Sequence, residues 1–449
     1  MWKIGKLFKR KPKEAKTIEA KPDAISEDVL SSRNLARTAY ENIERLSAQE
    51  GGRPAGSRES RRMASLIASM YEELGLEAKM SEFRVLKDMG RVWPKLAVIS
   101  MFLAIVFMLF GLPYISLLIL ILSCVFCYYD GVVGKSILPS IRKKGKGANV
   151  EAAVEPEGDV MQTIVFSSHH DSAPLFSRPG YRKDVIYFLS VMVLLLVLSL
   201  GFSFWEIAAG HFFRPGITGI LGWILLLIAA VLTVPAVKIW NLYSDRFSPG
   251  VGDNLSGVGV NLALARYFNS RKLKSTRLVF TSFDSEETGH QGARDYFSSS
   301  TLPLDTEVIN IDGLYGKDEL CFLSLDGNGS VKLSDHLSSE LVHLGKVLGY
   351  SYKTGKLPFL GGSTDAMEAA RKGYRATTLT SMHPDAVTPA HTEEDTIDAI
   401  DRETLESVIQ LMIRHVTDLD GRNNGNSEEE EKSFMDTERR YKLSIYDED

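Results

Sequence analysis

Val279-Phe280-Thr281-Ser282-Phe283-Asp284-Ser285-Glu286-Glu287-Thr288-Gly289 is an apolar run that ends in two adjacent carboxylates and a glycine. The run is short and rich in aromatic and β-branched residues, so it reads as a buried strand. Adjacent acids at the mouth of such a strand are costly to desolvate and answer to a positive charge, most simply a metal ion. Working outward, four further groups of ligand type stand in comparable settings. His169-His170-Asp171 follows the strand-like residues 163–167, and Asp253-Asn254 follows the turn Ser248-Pro249-Gly250-Val251-Gly252. Asp312 ends the apolar residues 308–311, and His391 sits in Pro389-Ala390-His391-Thr392. Strand ends and Gly/Ser/Asn-rich turns are where α/β folds carry their chemistry.

Each group has a local role open to it. In extended backbone successive side chains alternate, so His169 and Asp171 point one way and His170 the other. His169 is then the ligand candidate, and Asp171 can accept the other imidazole N–H and fix the tautomer. Asp253 has the position of a helix N-cap, yet a carboxylate there can also bridge two cations through its two oxygens. Of Glu286 and Glu287, one can coordinate while the other takes a proton from an activated water. Taken singly, the His-His-Asp turn, Asp312 and His391 can equally be satisfied loop residues.

The chain has 449 residues, 44% hydrophobic, with a formal net charge of -5 and three cysteines. A mild negative charge without a basic face excludes a nucleic-acid role. Three cysteines make no disulfide framework: Cys124 and Cys127 lie in an apolar run as small hydrophobes, and Cys321 reads as a buried thiol. Hydropathy divides the chain sharply. Residues 96–110 and 113–129, and again 185–205 and 217–237, are nearly free of charge and close to the roughly 17–20 residues that cross a bilayer. They read as two transmembrane hairpins, four spans in all. Lys135, Arg142, Lys143, Lys144 and Lys146 follow the first; Arg178, Arg182 and Lys183 precede the second, and Lys238 and Arg246 follow it. This charge bias places both termini and the soluble parts in the cytoplasm of a cell-membrane protein, with the opposite orientation as the alternative.

The remaining segments alternate between strand-like runs (76–85, 149–154, 163–167, 278–283, 308–311, 377–380) and helical ones (31–71 interrupted by the loop 51–57, 254–268, 335–348, 396–416), with Gly361-Gly362-Ser363-Thr364-Asp365 capping one more. That alternation predicts a three-layer α/β/α domain. Expected boundaries are a basic tail over 1–25, soluble-domain segments over 26–94, 131–182 and 241–420, hairpins over 95–130 and 183–240, and a disordered acidic tail over 421–449. The basic tail, with its seven Lys and Arg in residues 1–16, can be a solvated arm or can rest on anionic lipid.

The motifs in their order, Ser168-His169-His170-Asp171-Ser172, Gly252-Asp253-Asn254-Leu255-Ser256-Gly257, Ser285-Glu286-Glu287-Thr288-Gly289, Asn310-Ile311-Asp312-Gly313 and Ala390-His391-Thr392-Glu393-Glu394-Asp395-Thr396, resemble the M28 family of zinc metallopeptidases. The likeness extends to 51–57 and 362–365 and takes in neither hairpin. It implies a zinc-exopeptidase fold with a mixed central sheet and a co-catalytic pair of zinc ions. By that resemblance Asp253 would bridge the metals, His169 and Asp312 would complete one site, and Glu287 and His391 the other. Glu286 would be the general base and Asp171 the orienter of His169. The implied activity is aminopeptidase hydrolysis of peptides at a membrane; a glutaminyl-cyclase-like acyltransferase and a receptor-like relative without catalysis are the alternatives. Oxygen and imidazole donors without thiolate suit hydrolytic zinc. Because the second hairpin departs from the active-site end of a strand, the site's mouth is expected near the bilayer surface, favouring membrane-proximal peptides.

Overall fold

The structure is a computed structural model that describes residues 22–48, 51–131, 133–178, 180–210, 220–316, 320–357, 362–381 and 388–423. The basic and acidic tails expected at the two ends lie outside or mostly outside these residues, as does Gly361. In chain order the helices are α1 (Pro22–Ser47), α2 (Arg58–Glu73), α3 (Trp93–Leu109), α4 (Pro113–Gly131), α5 (Tyr181–Ala208), α6 (Ile220–Ala236), α7 (Ser256–Ser270), α8 (Gln291–Ser299), α9 (Asp335–Val347), α10 (Ala366–Lys372) and α11 (Arg402–Asn423). The strands are β1 (Ala78–Leu86), β2 (Lys144–Val154), β3 (Gln162–His169), β4 (Pro174–Phe176), β5 (Tyr243–Phe247), β6 (Thr276–Phe283), β7 (Glu307–Ile311), β8 (Cys321–Asp326), β9 (Val331–Lys332), β10 (Lys353–Lys356) and β11 (Arg375–Thr380).

Nine strands form one mixed sheet in the order β1-β2-β6-β3-β7-β11-β8-β10, with β9 paired to β8. The centre, β6-β3-β7-β11, is parallel, with His169 opposite Phe283 and Ser167 opposite Asn310. β1 and β2 run antiparallel on one flank, paired from Ala78↔Ala152 to Leu86↔Lys144. This is the three-layer α/β/α arrangement with a mixed sheet. Alternation along the central strands explains the layers. Ile164, Phe166, Leu278, Phe280, Ile309 and Ile311 face the core under α1, α2, α7, α9 and α11, while Val165, Val279, Phe283 and Val308 face the core under α8 and α10. Burial on both faces is why the run before Glu286 is nearly continuously apolar.

The sequence reading missed β8 (Cys321–Asp326), although Cys321, Phe322 and Leu323 are buried; further differences occur where the apolar pattern is weak. β10 (Lys353–Lys356) is a mostly exposed edge strand with no alternation to read. β2 begins five residues earlier than its apolar part because β1 pairs with it along its whole length. α11 begins at Arg402, where Asp401 accepts the Glu403 N–H (3.0 Å), and runs to Asn423, so it takes in the first three residues of the expected tail.

α3 to α6 pack on one another through Met101, Leu120, Phe188, Leu195 and Leu226. Their other faces leave Phe204, Leu221 and Leu227 about two-thirds exposed, a contiguous apolar exterior that lipid, not water, tolerates. Three helices, spanning Pro113–Gly131, Tyr181–Ala208 and Ile220–Asn241, are long and apolar enough to cross a membrane. α3 is a shorter apolar helix of 17 residues, about 25 Å long against a hydrocarbon core of roughly 30 Å. Ser116 Oγ ties the bundle together, donating to the Ala104 carbonyl (2.8 Å) and lying 3.1 Å from Ser199 Oγ.

A candidate metal centre and its catalytic carboxylate

The parallel strands deliver their C-terminal ends to one edge of the sheet. β3 ends at His169, β6 leads into Glu286, and β7 ends one residue before Asp312. The Asp253 turn reaches the same edge because its neighbours hold it there. Asp395 Oδ1 accepts the Gly252 N–H (2.7 Å), and Asn254 Nδ2 donates to the Ile311 carbonyl (2.8 Å). Asp253 is not an N-cap. α7 starts at Ser256, and the Asp253 backbone is non-helical, with φ -118° and ψ 84°.

Asp253 divides its two oxygens. Oδ1 lies 3.1 Å from His169 Nε2, which is itself 3.4 Å from Asp312 Oδ1. Oδ2 lies 3.1 Å from His391 Nε2, which is 3.4 Å from Glu287 Oε2. Two convergent donor sets, His169/Asp253/Asp312 and Asp253/Glu287/His391, therefore share one carboxylate. All five candidate ligands named from the sequence meet here, although His169 and Asp253 are 84 residues apart and the second hairpin lies between them. His170 points away, its Nδ1 2.9 Å from Ser282 Oγ, as alternation requires, and burial lowers its pKa to about 3.

Asp171 does more than face His169. Its Oδ1 is 3.5 Å from His169 Nδ1 and accepts the Glu286 N–H (3.0 Å), while Oδ2 accepts the Glu287 N–H (3.2 Å). One carboxylate thus fixes both the histidine and the backbone that carries the two acids. Glu286 is buried and lies off both donor sets. Its Oε1 is 3.0 Å from His290 Nδ1, and its Oε2, 4.0 Å from His169 Nε2, faces the cluster.

Charge balance explains the titration of these groups. Burial raises Glu286 to about 7, with Asp312 adding to the rise and His290 and His169 opposing it. Burial also raises Glu287 well above the usual carboxylate range, reinforced by Asp253 and Glu286. Burial alone would lower His391, but Glu287 and Asp253 outweigh it and raise it to about 10. His169 is raised likewise, its burial outweighed by Glu286, Asp312, Asp171 and Asp253. Protons thus fill a place that a cation would fill, which is the electrostatic mark of a cation site. Glu287 Oε1 and Asp312 Oδ1 are also buried without a hydrogen-bond partner, as donor atoms aimed at an ion would be.

Three supporting residues escaped the sequence reading. His290 holds Glu286 from one side, with its Nδ1 3.7 Å from Asp365 Oδ1 and its Nε2 against Ser363 Oγ. Asp365, expected to cap α10, makes no capping hydrogen bond; burial raises its pKa to about 6, with His290 opposing. Arg53 is buried in the loop before α2, where its guanidinium donates to the carbonyls of His170 (2.7 Å), Pro249 (2.6 Å) and Gly250 (2.7 Å). It joins the turns that carry His169 and Asp253. Asp395 belongs to the His-Thr-Glu-Glu-Asp motif, and its anchoring of Gly252 shows why that aspartate follows His391.

The family model for peptidase family M28 matches residues 234–416, the segment that contains Asp253, Glu286, Glu287, Asp312 and His391. That match covers residues 234–416 and makes this segment similar to the M28 peptidases. Solved structures agree at the level of fold. A Zn-dependent exopeptidase from Parabacteroides distasonis superposes with a TM-score of 0.52 at 14% identity, covering 85% of this chain and 97% of that one. BSAP, a zinc aminopeptidase from Bacillus subtilis, gives 0.52 at 16% identity over 86% and 95% of the two chains. A glutaminyl cyclase from Porphyromonas gingivalis gives 0.52 at 14% identity over 86% and 98%. Among curated proteins none matches the chain in sequence. The fold of these zinc enzymes is thus shared with the α/β/α domain of this chain.

Proposed function

We propose that the protein is a membrane-anchored aminopeptidase that holds two zinc ions, one in His169/Asp253/Asp312 and one in Asp253/Glu287/His391. The observation that carries the reading is the division of Asp253 between the two histidines, 3.1 Å from each. A carboxylate whose oxygens face two separate donor sets suits a pair of cations, and neutral imidazole with carboxylate oxygen suits zinc. When bound, zinc would activate water and polarise the scissile carbonyl.

The chain's own residues supply the rest. Glu286 Oε2 faces the cluster, so it takes the proton of the attacking water and returns it to the departing amine as the C–N bond breaks. Its Oε1 stays fixed by His290, which keeps the mobile proton on the oxygen that faces the substrate. Asp171 holds His169 and, through the Glu286 and Glu287 N–H groups, the peptide segment between base and ligand. Acidic groups around the cluster attract a substrate's free α-ammonium group and so favour chain ends over internal bonds. A glutaminyl cyclase uses a related scaffold. The second donor set, Glu287 with His391, supports hydrolysis with two cations over the cyclase reading. The basic residues flanking the apolar helices support a cytoplasmic catalytic domain.

The full chain in detergent should bind close to two zinc ions and release amino-terminal residues. Glu286→Gln should keep the zinc and lose the activity by at least about 10²-fold. Full activity in that variant, or ring closure of amino-terminal glutamine without hydrolysis, would overturn the assignment.

A further inference from the structure

The candidate metal cluster lies in the wall of a large, partly open cavity. The cavity measures about 1570 Å³, larger than the roughly 300–1,000 Å³ that accommodates a small ligand. Asp253, Glu286, Glu287, Asp312 and His391 form one end of the lining. Next to them the lining is aromatic: Phe176 stacks on His391 (ring centroids 5.9 Å apart) and on Tyr181 and lies tilted against Tyr243 (5.4 Å). The far end belongs to the apolar helices, with Trp93 of α3, Cys124 and Tyr128 of α4, and Val185, Leu189 and Met192 of α5. From Tyr181, where α5 starts beside Arg182 and Lys183, to Met192 is about 16 Å of helix rise, roughly half of a 30 Å hydrocarbon core. A single concavity therefore joins buried acids to a wall at membrane depth.

We infer that the substrates are peptides whose residues beyond the scissile bond are apolar, the amino ends of membrane-buried segments, and that the wall formed by α3, α4 and α5 receives those residues. This deepens the exopeptidase reading and rests on it. An occupant that spans the cavity must present a cation at one end and apolar surface at the other, and an extended peptide with a free amine is such a molecule. The acids hold the α-amine, the scissile carbonyl lies between the donor sets and Glu286, and the chain continues past Phe176 and Tyr243 toward Leu189 and Met192. A soluble exopeptidase has no use for this wall. Polar residues placed against it would lose water without gaining a partner, so the site discriminates against them by desolvation.

Two measurements on the zinc-loaded full chain in phospholipid vesicles test this. The first compares kcat/KM for two peptides with the same amino-terminal residue, one followed by apolar residues and one by serine, glycine and asparagine. The apolar peptide should be preferred by about tenfold or more. Leu189→Ser should reduce that ratio, whereas Leu200→Ser, on the same helix but outside the cavity lining, should not. Cleavage of both peptides at equal rates would refute the inference and leave the exopeptidase reading standing. The second needs no turnover: an apolar peptide with a free amine, a reduced scissile bond and a photoreactive residue several positions downstream is cross-linked to the protein. Label on residues 185–192 or 124–128 supports the inference even in Glu286→Gln. Label confined to residues 327–330 and 362–364, the solvent-side lining, or no specific label, overturns it.

Discussion

His290→Ala tests whether the base is positioned as the geometry says. In the native chain Glu286 Oε1 is 3.0 Å from His290 Nδ1, a buried ion pair, and interactions with a charged partner contribute about 1.5–3 kcal/mol. Removing it frees Glu286 to turn and leaves its carboxylate without that partner. At about 1.36 kcal/mol per factor of ten, kcat should fall by about 10- to 150-fold. Zinc content should not change, because His290 belongs to neither donor set. The pH profile adds a second readout. Burial raises Glu286 to about 7, and His290 opposes that rise both by its charge and by its hydrogen bond. Without the imidazole the Glu286 pKa moves higher. The base works deprotonated, so the acid limb of kcat/KM should shift to higher pH and activity should recover partly as pH is raised. His290→Gln, which can still donate to Glu286, should restore part of kcat. An unchanged kcat and acid limb in His290→Ala with normal zinc would refute the positioning role.

Arg53→Ala should destabilise the protein by about 3–5 kcal/mol, because it removes one buried cation from the carbonyls of His170, Pro249 and Gly250 and from the carboxylates of Asp171, Asp395 and Asp253 that its charge offsets. Urea denaturation of the zinc-free protein checks this, and a change below about 1 kcal/mol would refute it. Gly134→Ala should lower kcat by on the order of tenfold or more with zinc retained. Its φ is +64°, and an added Cβ would stand 2.8 Å from the Cα of Gly289, next to the catalytic acids. Unaltered kinetics would show that this approach does not set the catalytic loop.

The metal cluster was legible in the sequence because each ligand sits at the end of a strongly apolar strand or in a distinctive turn, so its position follows from local pattern. His169 was separated from His170 by strand alternation alone, and Ser282 on the next strand confirms the sorting. Asp253 was ambiguous for a local reason: the residues after it do form a helix, and only the anchoring of Gly252 by Asp395, 143 residues away, keeps it out of the cap. His290, Arg53 and Asp365 were silent because their partners are distant in the chain. His290 faces Ser363 across 73 residues, and Arg53 reaches Gly250 across 197. Single residues with remote partners leave no periodic trace. The edge strand β10 failed for the opposite reason, an exposed position that imposes no apolar pattern.

Both apolar insertions leave from the α/β domain and return against the loops that carry the candidate site, and the contacts at their ends show why the fold tolerates them. Closing a chain on a long insertion costs conformational entropy that grows only slowly with length, so the burden falls on the residues at the closure. For the second hairpin that closure is β4 against β5, with Pro174 opposite Phe247. The Ser248 N–H donates to the Ala173 carbonyl (2.8 Å) next to it, and Arg53 grips Pro249 and Gly250 immediately beyond. The Asp253 turn therefore starts from a fixed point however the helices sit in the bilayer. For the first hairpin the closure is buried Arg142 against Asp130 and Gly134 against Gly289, with Arg294 donating to the Gly134 carbonyl (2.9 Å). These two closures also form part of the cavity, since Asp130, Gly134, Phe176, Tyr243 and Phe247 line it. The residues at these closures thus line the same cavity as the candidate acids and the apolar helices.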